Sequence, residues 1–152
     1  MFKHILLPTD GSELAEEIVR KGVEFARMIG AAVTGFHVAE EHATLFSLQD
    51  VRYSDSNMAV HMENSVLETA IQAMSFVESA ANDAGVDCTC YCTRDQSIPE
   101  AIVRVAKARN CDLIWMTSSG KKGFPGFLAE NNAEEVLNGC DIPVMLFRHP
   151  ED

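Results

Sequence analysis

Apolar and polar positions alternate along the chain in blocks of two different periods. "KHILLPT" (3–9) is a short apolar run closed by Pro-Thr-Asp-Gly-Ser, which reads as a buried strand entering a turn. From Ser12 the apolar positions Ile18, Gly22, Phe25, Ala26 and Ile29 recur at helical spacing, and Gly30 ends the segment. "AAVTGFHV" (31–38) predicts a second strand. Residues 39–58 are polar and irregular, a length that predicts a mobile segment flanking a ligand cleft. A long helix follows, with Met62, Val66, Ala70, Ala73, Val77, Ala80 and Ala84 on one face and Gly85 at its end. "VDCTCYCT" (86–93) alternates as a strand does. Ser97-Ile98-Pro99-Glu100 is a capping box opening a helix that carries Ile102, Val105 and Ala106. "CDLIWMT" (111–117) predicts the fourth strand. Ala133, Val136 and Leu137 mark a short helix, and "IPVMLF" (142–147) the fifth strand.

Strands that alternate with helices imply an α/β fold, a parallel sheet covered on both faces. No domain boundary or repeat interrupts the pattern, so residues 1–152 are expected to form a single domain. Ligands of such sheets bind beyond the carboxyl ends of the strands, near the point where strand order reverses. The loops after the first and fourth strands, 8–12 and 117–131, are therefore the places to expect a site.

The second of these loops, "TSSGKKGFPGFLAEN", has the look of a phosphate cradle. Gly120 and Gly123 allow close backbone approach, Lys121 and Lys122 add positive charge, and a helix N-terminus follows. It lacks the Gly-Lys-Ser/Thr of a Walker loop, and for the glycines taken alone plain turn chemistry is the better account.

Together with the Pro8-Thr9-Asp10-Gly11-Ser12 turn, the strand ending in His37-Val38, "DLIWMTSSGKKG" and "AEEVLNGCDIPVMLF", this loop makes the chain resemble the universal stress protein family over nearly its whole length. The resemblance implies a Rossmann-like nucleotide-binding fold, an open five-stranded parallel sheet of order 3-2-1-4-5 with helices on both faces. It further implies an adenine-nucleotide cleft, a homodimer and a role in cytoplasmic stress responses. On the base and ribose side, Pro8, Thr9 and Asp10 match the family's first loop, Val38 the end of strand two and Met116 the end of strand four. Asp10 would accept hydrogen bonds from ribose hydroxyls, although it also suits a turn or helix cap.

The phosphate side departs from the family. Its motif runs Gly-x-x-Gly, nine residues, then Gly-Ser or Gly-Thr. Laid on this chain without gaps, it begins at Thr117, keeps Gly120, and closes on Glu130-Asn131, with Asn132 beside the pair. A carboxylate about 4 Å from a phosphate charge costs ~1 kcal/mol in water and ~4 kcal/mol at a surface-like dielectric of about 20. Bound ATP or another adenine nucleotide is therefore expected to be weak, in a remnant or a retuned site.

Charge and composition narrow the partners. The net charge of −11 argues against nucleic acid and acidic membranes as partners. The start of the chain turns polar after three apolar residues, too soon for a signal peptide, and no apolar run approaches a membrane span, so a cytoplasmic location is expected. The apolar fifth strand, with Pro143 suited to an edge, predicts a homodimer through residues Ile142 to Phe147; a further protein partner is left open.

Cys88, Cys90 and Cys92 share one face of a strand, cannot surround one metal, and read as core packing, as do Cys111 and Cys140. No metal site is expected. His4 and His37 read as satisfied residues of the sheet; His42, His61 and His149 have no evident carboxylate partner. Ser118 and Ser119 have no histidine base placed to activate them. The expectation is a binding protein rather than an enzyme. Its alternatives are a dimeric interaction protein that has lost ATP, and an ATP-using α/β enzyme of related type.

Overall fold

The computed structural model describes residues 1–40, 46–47, 64–118 and 130–148. The elements follow in the order β1 (His4–Pro8), α1 (Glu13–Ile29), β2 (Ala32–Glu40), β3 (Phe46–Ser47), α2 (Asn64–Ala84), β4 (Cys88–Asp95), α3 (Ile98–Ala108), β5 (Leu113–Ser118), α4 (Glu130–Gly139) and β6 (Val144–Arg148). They build one sheet of order β3-β4-β2-β1-β5-β6. Its five long strands are all parallel, and counted alone they run 3-2-1-4-5.

The sixth strand, β3, is an addition to the expected architecture. It pairs antiparallel with β4, Phe46 opposite Cys92 and Ser47 opposite Tyr91. Two residues inside a polar segment carry no readable alternation, so periodicity could not announce it. The rest of the segment from 41 to 58 lies outside the described residues, as do His42, His61 and His149.

Two hydrophobic layers sandwich the sheet. On one face Ile5, Leu7, Val33 and Trp115 meet α1 and α2 through Ile18, Val19, Val23, Ala73, Met74 and Val77. On the other, Leu6, Phe36, Val38, Ile114 and Met116 meet α3 and α4 through Ile102, Val105, Ala133 and Val136. The odd and even positions of each strand thus serve opposite layers, as the pleat requires.

Helix ends follow the local sequence. The Ser12 hydroxyl accepts from the Ala15 amide to cap α1, and Gly30 closes that helix in the left-handed region at φ 73°. The Ser97 hydroxyl accepts from the Glu100 amide at 3.4 Å, one half of the expected capping box; the other half is replaced, because the Ser97 amide donates to Asp95 Oδ1 at 3.0 Å. Two apolar positions of the predicted stripes are not buried. Ile29 is 41% exposed because it is the last residue before the cap, and Leu137 is 49% exposed on the outer side of α4. In α2 the fully buried stripe is Ala70, Ala73, Met74, Val77 and Ala81, with Ala80 and Ala84 at its margin.

Trp115 was expected only as part of a strand. Its indole N–H donates to the Ile18 carbonyl at 3.0 Å, and its ring lies between Phe25 and Phe147, with centroids at 5.1 and 4.6 Å. It ties α1 to β5 and β6. Gly22 makes this possible: a Cβ there would stand 2.6 Å from Leu7 Cδ2 and 3.0 Å from the indole.

Candidate functional site

Strand order brings the carboxyl ends of β2, β1 and β5 side by side, so Val38, Pro8 to Asp10, and Met116 to Thr117 converge. The turn after β1 is fixed from several sides. The Thr9 amide donates to the Phe36 carbonyl at 2.8 Å, and the Thr9 hydroxyl accepts from the Gly11 amide at 3.1 Å. Gly11 has φ 80°, open to glycine at little cost. Asp10 Oδ1 accepts from the Ser12 amide at 2.9 Å, the turn role expected of it, and Asp10 remains partly exposed with Oδ2 outside that bond.

Val38 and Met116 are buried in the layer that also holds Ala133 of α4. Because Ala133 lies in the first turn of α4, the helix N-terminus is anchored beside the ends of β2 and β5. Glu130, Asn131 and Asn132 open that helix, and Asn132 is half-buried. Free amides and partial positive charge gather at such an end. The Thr117 hydroxyl, buried, donates to the Phe147 carbonyl at 2.8 Å and so serves β6. Gly120, Lys121, Lys122 and Gly123 lie outside the described residues.

His37 is the satisfied sheet-end residue expected of it, and it also shapes this site. It is buried, and its Nδ1–H donates to the Thr9 carbonyl at 2.9 Å. Burial pushes its pKa below the ordinary histidine value of 6.5, against the pull of the Thr9 carbonyl and the Asp10 charge. The ring is thus a neutral clamp on the peptide that leads into Asp10. Its position one residue before Val38 at a strand end was the available signal. His4, by contrast, bonds Thr34 Oγ1 at 2.6 Å at the far end of the sheet, as a satisfied sheet residue.

The opposite edge of the turn region is organised by Asp95. Burial raises its pKa, but the Ser97 amide and the Arg104 guanidinium outweigh this and hold its carboxyl below the usual range. Among the described residues no group of three histidine, cysteine or carboxylate side chains is placed to hold a metal ion.

The family model of the universal stress proteins matches residues 1–148. The chain belongs to the universal stress protein family. Universal stress protein MJ0577 of Methanocaldococcus jannaschii is 26% identical over 97% of this chain and 96% of its own. Its solved structure superposes with a TM-score of 0.74, covering 100% of this chain and 99% of that one. Universal stress protein MJ0531 of the same organism is 24% identical over 99% of this chain and 85% of its own. A universal stress protein solved in complex with cAMP shares the fold at a TM-score of 0.70 and 17% identity, over 96% and 97% of the two chains. The universal stress protein fold therefore accounts for the five parallel strands and their order, while no described helix is long and apolar enough to cross a membrane.

Proposed function

We propose that this universal stress protein is a single-domain, cytoplasmic stress-response protein that takes an adenine nucleotide, ATP or AMP, weakly and without turning it over. The observation that carries the reading is the meeting of the rigid Thr9-Asp10 turn with the α4 N-terminus at the ends of β1, β2 and β5. A ribose at Asp10 Oδ2 and an anion at the helix start suit those groups. Relatives of the same fold solved with cAMP and with dAMP support an adenine ligand. The polar groups nearest the cleft are committed to the fold: His37 Nδ1 to Thr9, Asp10 Oδ1 to Ser12, and the Thr117 hydroxyl to Phe147. That supports binding over catalysis. Glu130 and Asn131, where the family has glycine and a hydroxyl, weaken the phosphate end.

Nucleotide released by heat from gently purified protein, identified by mass spectrometry, together with calorimetry of ATP, AMP and adenosine, tests this. Adenosine binding close to ATP in affinity is the expected result. Tight ATP binding defeats the degenerate phosphate end, and no adenine ligand of any kind defeats the cleft.

A homodimer through β6 is part of the same proposal. Met145 and Leu146 are 41% and 39% exposed on this edge strand, an apolar pair that a second copy would cover.

A further inference from the structure

Cys88 and Cys90 stand on the same face of β4, with their sulfurs 3.7 Å apart, in van der Waals contact. Both are free thiols. Room for the pair comes from Gly35, which is opposite Cys90 on β2: a Cβ there would lie 3.0 Å from Cys90 Sγ and 2.8 Å from Val77 Cγ1. The Gly35 backbone amide favours the ionised form of both thiols. Cys88 is half-buried and is the first residue of β4; Cys90 is buried beneath α2, with the Met74 carbonyl 3.6 Å from its sulfur. This contact places the two thiols at the amino end of β4, away from the cleft at the carboxyl ends of the strands.

We propose that Cys88 and Cys90 form a peroxide-reactive dithiol, in which Cys88 is oxidised first and Cys90 closes a reversible bridge. The asymmetry between the two follows from their surroundings. The single thiol proton of Cys90 can turn to the Met74 carbonyl or to Cys88, and an ionised Cys88 is the stronger acceptor. That bond, helped by the Gly35 amide and opposed by burial and by the Glu78 charge, holds the Cys88 thiol below the ordinary cysteine value. The same contact and burial push Cys90 upward, so Cys90 keeps its proton until needed.

The thiolate of Cys88 attacks one oxygen of a hydroperoxide. The O–O bond breaks, Cys88 becomes a sulfenic acid, and the departing oxygen takes up a proton to leave as an alcohol, or as water from hydrogen peroxide. Cys90 sulfur then attacks Cys88 sulfur, the S–O bond breaks, and the hydroxyl leaves as water with the Cys90 proton. Two thiols have given up two electrons to the peroxide. Alternate residues of a strand have Cα atoms about 6.4–6.8 Å apart, at the upper limit for a disulfide. Cys88 can approach by puckering the first residue of β4, which disturbs only the end of the ladder at Val33. A bridge formed at that limit is strained and so readily reduced.

The remaining thiols supply internal controls. Burial pushes Cys92 up to about 12 and Cys111 up to about 11, and Cys140 donates to the Val136 carbonyl at 3.4 Å. The full chain is exposed to hydrogen peroxide, quenched with iodoacetamide at intervals, and mapped by peptide mass spectrometry. Cys88 and Cys90 should be lost together, before the other three, with an internal bridge that dithiothreitol reopens. Cys88→Ser should slow thiol loss by at least about ten-fold. Cys90→Ala should stop at a sulfenic acid on Cys88, trapped by dimedone. Loss of Cys111 or Cys140 as fast as Cys88 in the unmodified protein overturns the proposal without any variant having to fold. Unchanged thiol loss in a folded Cys88→Ser protein overturns it as well.

Discussion

The imidazole Nδ1 of His37 lies 2.9 Å from the carbonyl oxygen of Thr9, and this one bond joins the end of β2 to the turn that presents Asp10. Its strength depends on a ring that burial keeps neutral, since the folded pKa lies below 6.5. In the unfolded chain the ring takes up a proton first as pH falls. The stability it supports is therefore full above about 6.5 and declines as pH drops toward and through the lowered folded value. Urea unfolding across that window should show stability falling with acidity. His37→Asn, which keeps a donor near the Nδ1 position but cannot titrate, should flatten that slope, whereas His37→Ala should cost ~1–3 kcal/mol. A slope unchanged in His37→Asn would assign the acid sensitivity to other groups.

Gly22→Ala should destabilise the fold even though it improves helix propensity. Alanine gains up to ~1 kcal/mol in a helix interior, but its Cβ would meet Leu7 Cδ2 at 2.6 Å and the Trp115 ring at 3.0 Å. Overpacking of this kind costs ~1–3 kcal/mol. A lower midpoint in thermal or urea unfolding is expected, with weakened Trp115 packing seen as altered indole fluorescence. A raised midpoint would mean that Leu7 and Trp115 repack freely.

The phosphate end should be repairable. Glu130→Gly with Asn131→Ser at the start of α4 removes a negative charge and restores a hydroxyl beside free helix amides. From a charge repulsion of ~1–4 kcal/mol, the gain in ATP affinity should be about one to three decades, with the two changes non-additive. Calorimetry should show a smaller gain for adenosine than for ATP. Asp10→Ala in the repaired protein should weaken both ligands alike. No gain for ATP in a folded protein would falsify the loop as a phosphate cradle.

Light scattering at micromolar concentration should report about twice 16.7 kDa for the parent. Leu146→Glu, which puts a charge on the apolar edge of β6, should return the monomer mass with little change in secondary structure. A parent that is already monomeric defeats the β6 dimer.

The sheet was legible because four of its five long strands are apolar runs between turn residues and β4 shows a strand's alternation, and because helical and strand segments follow one another in turn. The cap at Ser97 was legible for the same local reason, whereas the cap of α1 falls on Ser12 while Asp10, the residue read as suited to a turn or cap, holds the Ser12 amide. What could not be read were contacts between residues distant in sequence. Trp115 gave no sign that its indole would reach Ile18, nor Gly22 that it stands under that ring. At the cleft, the Pro8-Thr9-Asp10 turn was visible as a turn, but the clamp from His37 needs β2 laid beside β1 before it exists. The same holds for Cys88 and Cys90. Their shared face follows from alternation, whereas their close approach depends on the space that Gly35 leaves on a neighbouring strand.

Because β1, β2, β4, β5 and β6 all run in one direction, the sheet has a head and a tail. A strand that pairs with its own copy about a two-fold axis does so antiparallel, since the slanted parallel ladder treats its two strands unequally. Joining two copies at β6 therefore sets head against tail. The two proposed nucleotide clefts would face away from each other at opposite rims of one continuous sheet, each beside the partner's amino-terminal strand ends. Each ligand would then be received from its own side of the assembly, with no crowding between the two mouths.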